Sequence, residues 1–119
     1  TTNDVQDATT SLMKDVDAVF VPTDNTVAST MTMIGELSVE YKVPVIGGST
    51  DMVDAGGLLT YGTNYEALGR QTAKMAIRII EGSDPAEVAV EYPETVNLHV
   101  NEEMAKKLGI DVSKLSVEE

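Results

Sequence analysis

An α/β fold, an open and mostly parallel sheet with helices on both faces, is predicted by three features of this 119-residue chain. Apolar runs of about four to six residues alternate with amphipathic stretches of about ten or more, the pattern of parallel β-α units. The clearest stretch places Val27, Met31, Ile34, Leu37 and Tyr41 at steps of four, three, three and four, one face of an α-helix. The boundaries carry breakers, with Pro44, the Gly56-Gly57 pair and Gly82 each standing where an element must stop.

Each element follows in order. Val5, Ala8, Leu12 and Met13 share a helical face, with Asn3 as N-cap and Gln6 at capping-box spacing. Asp17 to Val21 reads as a buried strand, and the Val27–Tyr41 helix leads to a second strand from Val43 to Gly47. A turn of helix over Met52 to Ala55 closes at the glycine pair, and Leu58 to Tyr61 forms a third strand. Tyr65 to Glu81 is the longest helix. Val96, Leu98 and Val100 alternate as a last strand. A helix from Glu102 to Leu108 carries Asn101 as cap, acids in its first turn, lysines in its last and Gly109 beyond, all in the sense the helix dipole favours.

The chain reads as a single α/β lobe over residues 1–119, with a frayed tail at 111–119 and a linker from Gly82 to Pro93. Folds of this kind usually open with a strand, whereas this chain opens with a crossover helix, which reads as a fragment of a longer protein. Composition narrows the partners. Twenty acidic against eight basic residues give a net charge of −12, which repels nucleic-acid phosphates and anionic membrane surfaces. Without cysteine there is no disulfide framework, thiolate nucleophile or cysteine-zinc site. No apolar run is long enough for a membrane-spanning helix.

Chemistry gathers at the strand ends. In open α/β sheets ligands bind beyond the carboxyl ends of the strands. Here the first strand ends in Thr23, Asp24, Asn25 and Thr26; the second in Gly47, Gly48, Ser49, Thr50 and Asp51; the third in Tyr61, Gly62, Thr63 and Asn64. Hydroxyls, amides and carboxylates converging on one rim suit a small polar ligand. Asp24 or Asp51 would hold an ammonium, and Ser49 or Thr50 would donate to a carboxylate. The competing explanation makes Asp24, Asn25, Ser49 and Thr50 helix caps alone, each stabilising its helix by about 1 kcal/mol.

Other polar groups read as structural. Arg70, Lys74 and Arg78 recur every four residues with Glu66 ahead of them, a solvated and ion-paired face. His99 points outward on an alternating strand with no partner ligand set, and Asp51 with Asp54 reads as helix-start charge. No nucleophile is paired with a base, and no G-x-G-x-x-G cradle is present, so neither an enzyme nor a cofactor is implied. The alternative is a receiver-like signalling or other regulatory ligand-binding domain. A receiver needs an acidic pair and a lysine at strand ends, where this chain has a lone Asp24 and no lysine.

Four stretches carry a family resemblance: D-A-V-F-V-P-T-D-N-T-V-A-S, V-P-V-I-G-G, G-G-L-L-T-Y-G-T-N-Y-E-A-L-G-R-Q-T-A and V-E-Y-P-E-T-V-N-L-H-V-N. Together they resemble the C-terminal lobe of an ABC transporter substrate-binding protein, within the group of tryptophan- and aromatic-amino-acid-binding lipoproteins. The resemblance implies one incomplete lobe of a type I periplasmic-binding-protein-like fold, extracytoplasmic, whose partners are an amino-acid ligand, an N-terminal lobe and a membrane permease. It also implies that Thr23, Asp24, Asn25 and Thr26 face a cleft, with Gly48, Ser49, Thr50 and Asp51 next and Tyr61-Gly62 near a crossover. In two-lobed relatives the helix after the third crossover belongs with the first lobe. Tyr65–Glu81, apolar on more than one side, is therefore expected to self-associate as a homodimer or domain swap when that lobe is absent.

Overall fold

A computed structural model describes residues 1–115. Its elements are α1 (Thr2–Leu12), β1 (Val19–Val21), α2 (Asn25–Ala28), α3 (Met31–Tyr41), β2 (Val45–Gly47), α4 (Thr50–Asp54), β3 (Leu59–Thr63), α5 (Tyr65–Ile80), β4 (Val96–Val100) and α6 (Glu102–Leu108). The α/β class and the alternation of elements are those predicted. The four strands lie in the order β1-β2-β3-β4, and β1/β2 and β2/β3 pair in parallel. No helix among the described residues is long and apolar enough to cross a membrane.

The described chain divides into two compact units. One comprises Thr1–Gly62 with the chain from Leu98 on, and the other is Thr63–Asn97. In the first unit, Val19 and Val21 of β1 and Val45 of β2 are buried against Met13, Met31 and Ile34, while Leu58 joins Met104 and Ala105 of α6 in a second cluster. Strand geometry puts alternate residues on opposite faces. By the register of the parallel pairs, Phe20, Ile46, Leu59 and Tyr61 share the other face, and Phe20 is 67 % exposed there. β1 is therefore half-buried rather than buried throughout.

Three local predictions are corrected by longer-range or side-chain effects. The α1 cap is Thr1, whose hydroxyl accepts from the Asp4 amide while the Asp4 carboxylate accepts from the Thr1 amine. The inward side of α1 carries buried Thr9 and half-buried Val5, followed by buried Met13 at its C-cap, with Ala8 and Leu12 exposed. The long helix expected from Val27 to Tyr41 is broken at Ser29 and Thr30. Ser29 Oγ donates to Thr26 O at 2.7 Å and Thr30 Oγ1 to Val27 O at 2.8 Å, so both hydroxyls compete for helix carbonyls. α3 then closes at Lys42, in left-handed conformation, before Pro44 is reached.

In the Thr63–Asn97 unit, Asn64 caps α5 by accepting from the Ala67 amide at 2.9 Å. Gln71 Nε2 donates to Tyr92 O at 2.9 Å and to Glu91 Oε2 at 3.1 Å, and Arg78 pairs with Glu91, holding the following segment along the helix. Arg70 pairs with Glu66 as its spacing predicts. No residue of α5 is buried. Of the expected frayed tail at 111–119, residues 116–119 lie outside the described residues. Within the remainder, Val112 packs on the second cluster and Asp111 accepts from the Ser113 amide at 2.9 Å.

Candidate functional site

The carboxyl ends of β1, β2 and β3 meet as one continuous rim. Thr23 Oγ1 donates to Gly48 O at 3.0 Å, tying the β1 loop to the β2 loop. Gly48 is required at that contact, because a Cβ there would lie 2.5 Å from the Thr23 nitrogen. Gly62 of the third loop lies beside Thr50 less tightly: a Cβ on it would be 3.0 Å from Thr50 Cγ2 and at an ordinary 3.6 Å from the Thr50 nitrogen. Glycine permits such close backbone approach without steric cost. Gly48 thus acts as the joint between the β1 and β2 loops.

Of the four cap candidates two are caps, Asp24 and Ser49, while Asn25 and Thr50 are the first residues inside α2 and α4. Asp24 Oδ1 accepts from the Val27 amide at 3.0 Å, and Ser49 Oγ from the Met52 amide at 3.4 Å. Capping does not exhaust either group. The second oxygen of the Asp24 carboxylate remains, and the Ser49 hydroxyl proton is left to donate. Thr23 has spent its proton on Gly48 and offers lone pairs alone. Asn25, Thr26 and Asp51 are exposed in the first turns of α2 and α4. Among the described residues no ion pair involves Asp24 or Asp51. Tyr61 lies on the solvent-facing side of β3, 56 % exposed, while its neighbour Gly62 is buried.

The arrangement is richer in acceptors than in donors, which suits a cationic group such as an ammonium, with Ser49 free to donate to an acceptor beside it. A groove of about 500 Å³ lies elsewhere, lined by Gly35, Glu36, Val39, Asp54, Asn101 and Met104 among others, and no rim residue lines it. Among the described residues, no group of three or more His, Asp or Glu side chains is placed to hold a metal ion.

Sequence spacing does not reveal how α4 is held from behind. His99, expected to lack a partner, has Nε2 2.7 Å from Asp54 Oδ1. Asn101, predicted as the α6 cap, accepts from the Met104 amide at 3.0 Å and also donates from Nδ2 to Val53 O at 3.0 Å. Both contacts span more than forty residues. The V-N-L-H-V-N stretch contains both residues, but their partners lie far off in sequence.

Known proteins resemble this chain along nearly its whole length. The family described as ABC transporter substrate binding protein matches residues 1–118. A tyrosine-binding protein of Clostridioides difficile is 32 % identical over 99 % of this chain, which spans 34 % of that relative's length. A ligand-free, open substrate-binding protein with adhesive properties from Clostridium difficile is 37 % identical, with a TM-score of 0.80 over 99 % of this chain and 39 % of that one. An ABC domain from Streptococcus pneumonia in complex with L-Trp is 32 % identical, with a TM-score of 0.81 over 96 % of this chain and 39 % of that one. The chain thus spans little more than a third of the relatives it matches, and it belongs to the ABC transporter substrate-binding protein family.

Proposed function

We propose that this chain serves as the C-terminal lobe of the solute-binding component of an ABC importer, forming one jaw of a cleft for an aromatic amino acid. The observation that carries this reading is the rim itself. The Thr23–Gly48 bond ties the first two strand-end loops together, Gly62 of the third lies beside Thr50, and the loops present the Asp24 and Asp51 carboxylates without an ion-pair partner among the described residues. An amino acid carries an ammonium and a carboxylate close together, the pair of charges such a rim accommodates. Relatives described as tyrosine-binding and as bound to L-Trp support the aromatic class. Asp24, on the β1 loop, takes the ammonium; Ser49 and Thr50 receive the carboxylate; Asn25, Thr26, Asp51, Tyr61 and Gly62 complete the wall.

In this reading the protein is extracytoplasmic and non-catalytic, and it hands its ligand to a membrane permease. A second lobe closes the cleft. The α5 helix, with Ile77 51 % and Ile80 83 % exposed, is covered in the longer protein by that lobe and by a second copy of the chain when the lobe is absent.

Asp24→Asn in the two-lobed protein tests the reading. Asn and Asp cap helices about equally well, so stability should change by less than about 1 kcal/mol. Removing one partner of a desolvated charge pair should cost about 2–5 kcal/mol in binding of L-tyrosine or L-tryptophan by calorimetry. An Asn variant that binds as tightly as its parent would make Asp24 a cap alone.

A further inference from the structure

The short helix α4 carries Ser49, Thr50 and Asp51 of the rim at its start, yet five residues are too few for a helix to hold its own position, because nucleation costs more than so few hydrogen bonds return. Its place must come from tertiary contacts. Met52 and Val53 supply the apolar part, being 1 % and 0 % exposed. The polar part comes from β4 and the residue after it. Asn101 Nδ2 donates to Val53 O at 3.0 Å, and His99 Nε2 lies 2.7 Å from Asp54 Oδ1, so two side chains spaced two apart grip successive residues of the last turn of α4.

Asn101 is over-equipped for a cap. Its Oδ1 accepts from Met104 N, which is all that capping α6 requires, and its backbone amide donates to Leu58 O at 2.8 Å. A serine or aspartate would serve as cap equally well. The amide nitrogen is the part that the cap leaves unexplained, and its partner is α4.

We propose that Asn101 is a positioning residue for the ligand rim: by holding the Val53 carbonyl it fixes the last turn of α4, and through that single rigid turn it sets where Ser49, Thr50 and Asp51 stand against the Thr23 and Gly62 loops. His99 reinforces the same turn through Asp54. This rests on the amino-acid-binding reading only for its consequence, since the tether itself is a property of the unliganded protein.

Asn101→Ser and Asn101→Ala separate the roles. Serine keeps the α6 cap and loses the reach to Val53; alanine loses both. Amide exchange measured by NMR should accelerate about tenfold or more in both variants at Val53, Ala55 and Gly56, the amides bonded within the α4 turn. Only alanine should lower the melting temperature appreciably. With L-tryptophan as probe, both variants should bind about fivefold more weakly than the parent, so that affinity follows the tether and not the cap. Unchanged α4 exchange in the serine variant overturns the proposal, as does faster exchange with unchanged L-tryptophan affinity. If the two-lobed parent binds neither L-tryptophan nor L-tyrosine, the amino-acid reading fails, and the exchange arm alone decides the tether.

Discussion

The two compact units of this chain differ in what their apolar residues do. In the unit built from Thr1–Gly62 and the chain after Leu98, Met31, Ile34, Val45 and Val53 are wholly withdrawn from solvent. In Thr63–Asn97 a sixteen-residue helix whose apolar residues recur at helical spacing buries no residue at all. Pattern is therefore not packing. An amphipathic stripe states that a face is to be covered, while the covering surface is supplied elsewhere. The first unit has its cover in α1, α3 and α6. The second spends its polar groups instead, holding its own return segment through Gln71, Arg78 and Glu91.

Substitution should break this contrast most sharply in the core. Ile34→Ala removes a fully buried side chain and should cost about 2–5 kcal/mol in chemical unfolding, whereas Ile80→Ser, at a site 83 % exposed, should change stability by less than about 0.5 kcal/mol. The same Ile80→Ser should shift light scattering of the isolated chain toward monomer. A large stability loss at Ile80, or scattering that is monomeric already in the parent at high concentration, would contradict the account of α5.

A smaller effect sharpens the polar side of the comparison. The Arg78 guanidinium, followed by the Gln71 amide, holds the Glu91 carboxyl below its ordinary value of 4.5. A carboxyl whose pKa is lower folded than unfolded favours the folded state above the unfolded value, and that contribution disappears as pH falls through the lowered folded one. The side-chain carboxyl carbon of Glu91 should therefore titrate by NMR with a midpoint below 4.5, and Arg78→Gln should raise that midpoint. A midpoint at or above 4.5 in the parent would mean that Arg78 and Glu91 do not pair in solution.

Much of the fold was legible because its signals are local. The spacing of Met31, Ile34 and Leu37, the Gly56-Gly57 stop and the complete cap-to-cap pattern of α6 each lie within a few residues. The rim was legible for the same reason, as each strand end carries its own polar cluster. What escaped is of two kinds. Hydroxyls that bond backward, at Ser29 and Thr30, compete with the helix ladder in a way periodicity does not register. Contacts between distant residues, such as Asn101 with Val53 and His99 with Asp54, depend on how elements are brought together and leave no mark in spacing. Phe20 belongs to the second kind, since its run of neighbours is apolar but only Val19 and Val21 face the packed side of the sheet.

The central claim is that the rim of Thr23–Thr26, Gly48–Asp51 and Tyr61-Gly62 is where an amino acid binds. Titrating the isotope-labelled 119-residue chain with L-tryptophan and following backbone amides by NMR tests it most directly. If this chain supplies one jaw of a cleft, as proposed, affinity should be no better than about millimolar, equivalent to about 4 kcal/mol, and the shifts should be confined to those three loops and the first turn of α4. Saturable shifts centred instead on the groove between α3 and α6, or no shifts at several times that concentration, would contradict it.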